Sequence, residues 1–290
     1  MWEGCGRSGP PEGCEERRES ESRVGALSSG KRLRLARLFR DGKALIVALD
    51  HGRRHGPIKG IEDMRATLRM VPEGSPDAVM MTPALIEKYW EMLPGTFIVA
   101  RIDGTGTVRS LDETDDRLIS SVERAVRLGA DAVSVMVYPG SRNESALWEK
   151  LASVVEQAEL LGVPVMAEVV PKQPGFPSVD SDVVAYGARI AAELGADIVK
   201  TIYTENFSEV VRKTPVPVVV LGASKAPLLE VLRRVEDAVR AGAAGAAIGR
   251  NIFQHSSPGL VVKALMNVIH RGASASKVME ELGLREDPVM

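Results

Sequence analysis

One lysine interrupts an otherwise uncharged run: Lys200 lies within Ile198-Val199-Lys200-Thr201-Ile202-Tyr203. Such a run is typical of a buried strand, where an ammonium group is costly unless it is paired or loses its proton. Desolvation favours the neutral amine, which is the nucleophile in Schiff-base chemistry on carbonyl compounds. Lys200 is therefore a candidate Schiff-base former, and the alternative is a buried structural salt bridge.

Three further side chains that transfer protons lie in or directly after apolar runs. Asp50 follows residues 44–49, Tyr138 ends residues 132–138, and Glu168 lies within residues 165–170. The two carboxylates could orient the lysine or accept its proton, and the tyrosine could donate one. The structural alternatives are a loop or capping hydrogen bond for Asp50, a static ion pair for Glu168 and a packed ring for Tyr138.

The segment after Asp50 is basic and contains two imidazoles, at His51 and His55. A metal site there is disfavoured because Asp50 is the one obvious third ligand, so we expect no metal. The two histidines and the intervening arginines instead favour binding of an anionic substrate group, with a solvated basic loop as the alternative.

Two glycine-containing loops follow the last two apolar runs, and both suit phosphate binding. One reads Gly222-Ala223-Ser224, and the other begins with Gly249 and Arg250. Barrel enzymes commonly bind phosphate after strands seven and eight, through backbone N–H groups and a helix N-terminus. Arg250 could add a forked pair of hydrogen bonds to the same group.

Eight short apolar runs alternate with amphipathic segments along the chain, which predicts a closed (β/α)8 TIM barrel. A doubly wound open sheet is the alternative, although no glycine fingerprint follows the first run. The predicted strands are residues 44–49, 78–81, 97–102, 132–138, 163–170, 198–203, 216–221 and 243–248. The predicted helices are residues 32–40, 61–71, 84–93, 115–128, 144–161, 180–194, 207–213, 228–241 and 260–270.

The chain is organised as a barrel with short extensions. Residues 1–29 are polar, contain Cys5 and Cys14, and are predicted to form a flexible arm. Residues 30–275 form the predicted barrel, and residues 276–290 a C-terminal helix and tail. The formal net charge of −2 disfavours nucleic acid as a partner. With no apolar run long enough to span a bilayer and no apolar signal core, we expect a cytoplasmic location and no membrane partner.

The sequence resembles the archaeal-type class I fructose-bisphosphate aldolases, a family with aminodideoxyheptulosonate synthase and thiolase relatives. The matching stretches run from about residue 42 to residue 270 and include Val47-Ala48-Leu49-Asp50-His51-Gly52, His55-Gly56-Pro57, Gly195-Ala196-Asp197-Ile198-Val199-Lys200-Thr201 and Gly249-Arg250-Asn251-Ile252-Phe253-Gln254. The resemblance implies that Lys200 forms the Schiff base, that Asp50 handles protons and that the loops at Gly222 and Gly249 hold phosphate. It also implies a phosphorylated sugar substrate, no cofactor, and a homo-oligomer, often of ten subunits.

The chain departs from this family at the end of the fifth run. The aldolases have Tyr-Pro-Arg-Gly there, with the tyrosine as acid–base residue, whereas this chain reads Val170-Pro171-Lys172-Gln173. Glu168 lies two residues earlier, on the same side of a strand, and is the candidate replacement, with Tyr138 as the other. The strand-seven loop also lacks the family's Gly-Gly-Pro.

Three functions follow from these residues. The first is class I cleavage or formation of a carbon–carbon bond in a phosphorylated ketose, with fructose bisphosphate as the default substrate and an aminodideoxyheptulosonate synthase-type transaldol reaction as the alternative. The second is thiolase-like acyl transfer on the same barrel. The third is non-catalytic binding of a sugar phosphate, in which Lys200 and Glu168 are a static pair.

Overall fold

The computed structural model describes residues 28–172 and 180–285, which form a closed barrel of eight parallel strands surrounded by helices. Each strand pairs with the next along the chain, and β8 pairs with β1 through Ala44–Gly245 and Val47–Ile248. The predicted TIM barrel is thus confirmed, and the closing β8–β1 pair excludes an open sheet. The strands are β1 (Ala44–Ala48), β2 (Ala78–Met81), β3 (Phe97–Arg101), β4 (Ala132–Val137), β5 (Val165–Val169), β6 (Ile198–Thr201), β7 (Val218–Leu221) and β8 (Gly245–Ile248).

Helices follow the strands and cover the outside of the barrel. They are α1 (Ser29–Leu38), α2 (Gly52–His55), α3 (Met64–Met70), α4 (Pro83–Tyr89), α5 (Val122–Arg127), α6 (Glu144–Leu161), α7 (Ser181–Glu193), α8 (Phe207–Lys213), α9 (Leu228–Arg240), α10 (Arg250–Phe253), α11 (Pro258–Arg271) and α12 (Ala275–Glu281). Short 3-10 turns extend α3 and α4, at Val71–Gly74 and Trp90–Met92.

The apolar runs form strands because both of their faces are buried, as parallel barrels require. One set of alternate side chains packs against the helices, and the other fills the barrel interior. The inner cluster includes Ile46, Met80 and Val99, and Leu38 at the end of α1 joins it. The barrel is therefore a packed core at one end, which leaves the carboxyl ends of the strands to form a site.

Helix α1 is tied to the amino-terminal end of the barrel by a buried lysine. Ser28 caps the helix by accepting a hydrogen bond from the backbone N–H of Lys31. The Lys31 ammonium, 1% exposed, pairs with Asp197 and Glu159, each at 3.0 Å. Asp197 immediately precedes β6, so this ion pair lies at the opposite end of that strand from its carboxyl terminus.

One predicted helix is substantially wrong. The pattern predicted a helix over residues 115–128, but the helix begins at Val122. Residues before it form a loop because Asp116 is buried and its carboxylate accepts a hydrogen bond from Gly106 N–H at 3.2 Å. Burial of a loop carboxylate among loop groups competes with helix formation there, and the periodic pattern cannot reveal that.

The predicted arm lies almost entirely outside the described residues, together with Cys5 and Cys14. Within residues 28–172 and 180–285, none of the helices combines the length and apolar character needed to cross a membrane.

Candidate active site

Lys200 and Glu168 are direct partners in the register of β6 and β5. Their side chains leave the strands toward the same space, and Lys200 Nζ lies 2.9 Å from Glu168 Oε2. Lys200 is 4% exposed and Glu168 8% exposed. The pair predicted from the two charged positions therefore forms, and a carboxylate stands within hydrogen-bonding distance of the lysine proton.

Arg101, at the end of β3, joins this pair to Asp50. Its Nε donates to Asp50 Oδ2 at 3.0 Å, and its Nη2 donates to Glu168 Oε2. Its Nη1 donates to Asp103 Oδ1 at 3.4 Å. Sequence reasoning missed Arg101, although the signal was the one that identified Lys200: a charge within an apolar run, here residues 97–102.

A cavity of about 150 Å³ opens beside Lys200 at the carboxyl ends of the strands. Its lining is predominantly cationic, with five basic side chains against two carboxylates, and Met136 and two histidines complete it. The basic residues are Arg53, Arg54, Arg101, Lys200 and Arg250, the carboxylates are Asp50 and Glu168, and the histidines are His51 and His55. A cavity of this charge favours an anionic ligand.

Both carboxylates are ionised at neutral pH despite their burial. Burial raises the pKa of Glu168, but the charges of Lys200 and Arg101 outweigh it and bring that pKa to about 2. Burial likewise opposes ionisation of Asp50, whose pKa is nonetheless held well below its usual range, chiefly by Arg101. Asp50, Arg101, Glu168 and Lys200 thus form a chain of alternating opposite charges.

The two predicted histidines line the cavity and are neutral at pH 7. Burial, and to a smaller degree Lys200, lower the pKa of His51 to about 4, although Asp50 opposes the shift. His51 Nδ1 lies 3.6 Å from Asp50 Oδ1, and its ring meets Phe253 edge-on. Burial and neighbouring arginines also lower the pKa of His55. Across residues 28–172 and 180–285, no three His, Cys, Asp or Glu side chains are grouped so as to hold a metal ion.

Tyr138 is buried and does not belong to the cavity lining. Its hydroxyl accepts a hydrogen bond from Arg54 Nη1 at 2.8 Å and lies 2.6 Å from Met136 Sδ. Burial raises the pKa of Tyr138 above its ordinary value. The structure therefore gives Tyr138 contact with a cavity arginine but no direct opening toward Lys200.

Arg250 lines the cavity from the β8 side and is linked to the strand-seven loop. Its Nη2 donates to the carbonyl of Ala223 at 3.0 Å, whereas its Nε is buried without a partner in the described parts of the chain. Ala223 adopts a left-handed φ of +52°. Asn251 fixes the same loop by donating to the carbonyls of Gly222 at 2.7 Å and Ser224 at 3.1 Å. The predicted phosphate loops thus adjoin one another, with Arg250 reaching the cavity.

Gly249 allows the last loop to approach β1 closely. A Cβ at this position would overlap the ring of His51 and crowd the carbonyl oxygen of Ala48. Only glycine fits between the His51 ring and the chain that carries Arg250.

The other two cavity arginines are tied to the loop after β3. Arg53 Nη1 lies 3.4 Å from Asp116, and Arg54 Nη2 lies 2.5 Å from Glu113. Glu113 also pairs with Lys172 at 2.9 Å, so it bridges the loops after β1 and β5. Arg53 and Arg54 therefore have carboxylate partners, whereas no ion pair to a carboxylate involves Arg250 within the described residues.

The chain is similar along most of its length to archaeal synthases and an archaeal aldolase. A 2-amino-3,7-dideoxy-D-threo-hept-6-ulosonate synthase from Halobacterium salinarum is 37% identical over 89% of this chain and 98% of its own length. A second such synthase, from Archaeoglobus fulgidus, is 38% identical over 88% of this chain and 96% of its own length. The crystal structure of an archaeal fructose 1,6-bisphosphate aldolase superposes with a TM-score of 0.78 at 33% identity, over 83% of this chain and all of that one.

The family model for the DeoC/LacD family aldolases matches residues 44–255, which span the barrel from β1 to the end of the strand-eight loop. This range contains Lys200, Glu168, Asp50 and Arg250. The chain therefore belongs to the DeoC/LacD family of aldolases, which are lyase-type enzymes.

Proposed function

We propose that the chain is a Schiff-base aldolase acting on a phosphorylated ketose, with Lys200 as the nucleophile and no cofactor. The observation that carries the proposal is the position of Lys200 Nζ, 2.9 Å from Glu168 Oε2 at the wall of a cationic cavity. The amine there has a carboxylate to take its proton and open space in which to meet a carbonyl carbon.

The first step forms the imine. The Lys200 ammonium passes one proton to Glu168, and the free amine attacks the ketone carbon to give a carbinolamine. The carbinolamine oxygen then takes a proton and leaves as water, which produces a protonated imine on Nζ. Glu168 is the group placed for both transfers because its Oε2 lies 2.9 Å from Nζ.

The second step breaks the carbon–carbon bond. Of the two carbons joined by this bond, the one farther from the imine carries a hydroxyl, and a base removes the proton of that hydroxyl. This carbon becomes an aldehyde as the bond breaks. The bonding electrons move into the protonated imine to form an enamine. Protonation of the enamine and hydrolysis of the imine release the ketone product and free Lys200. Run backwards, the same steps join the two fragments.

Glu168 is our candidate for the base of the second step. Val170, where the resembling aldolases have a tyrosine, cannot transfer a proton. Glu168 makes its contacts to Arg101 and Lys200 through Oε2, and Oε1 has no hydrogen-bond partner within the described residues. One oxygen is thus held by cations while the other is free to reach the substrate hydroxyl or a water. Asp50, held by Arg101, adds a second carboxylate to the cavity and orients the substrate.

We propose that Arg250 holds the substrate phosphate, together with the loops at Gly222-Ala223-Ser224 and Gly249. Its guanidinium lines the cavity, carries no carboxylate partner in the described chain and stands beside two adjoining loops. Charge-assisted hydrogen bonds from arginine to phosphate are among the strongest polar contacts in proteins. His51 and His55, being neutral, would contribute hydrogen bonds rather than charge.

Two substrate classes are supported by different relatives. The synthases from H. salinarum and A. fulgidus support a transaldol reaction, in which a fragment of a phosphorylated ketose is carried on lysine to a second aldehyde. The superposed archaeal aldolase supports cleavage of fructose 1,6-bisphosphate. Both reactions proceed through the same lysine-bound enamine, so the residues derived above serve either one.

The experiment is a turnover assay of the purified chain with fructose 1,6-bisphosphate alone and with phosphorylated deoxyketoses plus an acceptor aldehyde. Release of triose phosphate from the first would identify cleavage, and acceptor-dependent product would identify transfer. Lys200→Met should abolish either activity, whereas Lys213→Met, which removes a partly exposed lysine of α8, should not. A Lys200→Met protein with wild-type turnover would exclude the proposal, and turnover with an acyl-coenzyme A in place of the ketose would redirect it to acyl transfer.

A further inference from the structure

We infer that Arg101 is a positioning residue for the aldol reaction: it holds Glu168 and Asp50 in place and keeps Glu168 able to exchange a proton with Lys200. This inference rests on the proposed Schiff-base function. It assigns Arg101 a role separate from substrate binding and from nucleophilic attack. Arg101 acts through the two carboxylates.

The guanidinium is placed to do this because it reaches three carboxylates from one buried position. It is 1% exposed and uses all three of its nitrogens, Nε toward Asp50, Nη2 toward Glu168 and Nη1 toward Asp103. Asp50 follows β1 and Glu168 lies on β5, and these two strands face each other across the closed barrel. A rigid planar fork can span that gap, whereas a lysine ammonium is a single point of charge.

The third contact anchors the guanidinium itself. Asp103 is fully buried, and its Oδ2 accepts hydrogen bonds from Lys150 Nζ and from the backbone N–H of Met136, both at 2.6 Å. Lys150 also donates to the carbonyls of Met136 at 2.9 Å and of Asp116 at 2.5 Å. The carboxylate of Asp103 therefore fixes Nη1 of Arg101, while Nε and Nη2 of the same guanidinium contact Asp50 and Glu168 in the cavity.

The charges explain why the reaction needs this group. Glu168 Oε2 contacts both Lys200 and Arg101, so it has two cationic partners in the free enzyme. When Lys200 gives up its proton, Glu168 loses one partner and becomes neutral, and Arg101 remains paired with Asp50 and Asp103. Both the charged pair (ammonium and carboxylate) and the neutral pair (amine and carboxylic acid) then leave no unpaired buried charge. Proton exchange between buried groups requires this, because an unpaired buried charge is costly.

Removing the guanidinium would leave Asp50, Asp103 and Glu168 close together in a buried space with too few cations. Like charges in such a space favour protonation of one carboxylate. On acidification Glu168 would then take up a proton at a higher pH than in wild type, and in that state it could not accept the one from Lys200. The expected consequence is loss of turnover on acidification at a pH where the wild-type enzyme still has full activity.

The test measures turnover against pH for wild type, Arg101→Gln and Arg101→Lys, normalised to folded protein. In Arg101→Gln we expect kcat/KM to fall at least about 100-fold, within the range of general acid–base catalysis. We also expect its acidic limb to move up by roughly one to three pH units, the usual effect of a neighbouring arginine on a carboxylate. In Arg101→Lys the charge remains, so the acidic limb should stay near that of wild type while kcat falls, because one ammonium cannot hold three carboxylates.

The matched control is Lys31→Met, which breaks a buried ion pair at the other end of β6. It should lower thermal stability without moving the pH profile. If Arg101 had only a structural role, Arg101→Gln would be less stable but keep the wild-type pH profile, like this control, and that result would overturn the inference. If Arg101→Gln does not fold, a wild-type kcat in Arg101→Lys would overturn it instead. Borohydride trapping of substrate on wild-type Lys200 separates the two claims: absence of an adduct refutes the Schiff-base function, whereas an adduct with an unchanged Arg101→Gln profile refutes only the role of Arg101.

Discussion

The carboxylates of Asp50, which follows β1, and Glu168, on the opposite strand β5, both contact the guanidinium of Arg101. Lys200 joins the same cluster through Glu168 Oε2. These four side chains therefore share their contacts, and each is paired with at least one neighbour of opposite sign.

Replacing Glu168 should remove proton transfer while preserving shape. In Glu168→Gln we expect kcat to fall by about 10²–10⁴, the usual contribution of a positioned general acid–base group. Steady-state kinetics with the preferred ketose measures the effect. Glu193→Gln, an exposed glutamate on α7 paired with Arg189, is the matched change and should leave kcat as in wild type. Equal kcat for Glu168→Gln and wild type would exclude Glu168 as the acid–base group.

Replacing Arg250 should weaken substrate binding more than chemistry. In Arg250→Met we expect KM for the phosphorylated ketose to rise about 10- to 100-fold, since hydrogen bonds to charged groups contribute roughly 1.5–3 kcal/mol. Inorganic phosphate should inhibit wild type competitively and the variant much less. Arg240→Met removes an exposed arginine paired with Glu236 and Asp237 and should leave KM unchanged. Unaltered KM in Arg250→Met would place the phosphate elsewhere.

Closure of the barrel should depend on Gly245 at the start of β8. Its φ is +118°, and a Cβ there would overlap the carbonyl group of Ala44 on β1. Gly245→Ala should therefore cost more than about 3 kcal/mol of unfolding free energy, among the larger effects of single substitutions. Gly129→Ala is the comparison because its φ is +90° and its Cβ would meet nothing within 4 Å. It should cost only the roughly 1–2 kcal/mol of a left-handed backbone. Urea unfolding that shows equal losses would contradict this account of the β8–β1 seam.

Stability should fall with rising pH through His270 on α11. Its ring nitrogens lie 2.7 Å from Asp41 and 2.8 Å from Asp77. Burial alone would lower the pKa of His270, but hydrogen bonds to the two carboxylates outweigh it and raise that pKa above 6.5.

The imidazolium therefore stabilises the fold fully below pH 6.5, the ordinary value in the unfolded chain, and this contribution is lost as the pH rises through the raised pKa. Melting temperatures of wild type and His270→Gln, measured from about pH 6 to pH 9, should converge toward the alkaline end. A constant gap across that range would show that the charge of His270 does not contribute.

Much of the fold followed from local pattern. The predicted strand 78–81 and the predicted helices 144–161 and 207–213 match the structure at both ends. Apolar runs and amphipathic repeats depend only on residues close together in sequence, so they can be recognised without the structure. The helix over 115–128 failed because burial of Asp116 in the loop depends on Gly106 and Arg53, which are distant in sequence.

The site was recovered unevenly. A charge inside an apolar run identified Lys200 and Glu168, and strand ends placed Asp50 beside them. Arg101 carries the same signal, a charge within the apolar run of residues 97–102. The separation of Tyr138 from the cavity had no local signal, because its hydroxyl contacts Arg54 of α2, which is distant in sequence.

A phosphorylated ketose should attach covalently to the amine of Lys200. Borohydride reduction in the presence of the substrate, followed by peptide mass spectrometry, measures this attachment. We expect one stable adduct per chain, carried by the peptide that contains Lys200 and absent from Lys200→Met. Turnover of the ketose with no adduct, or an adduct on another lysine, would contradict it.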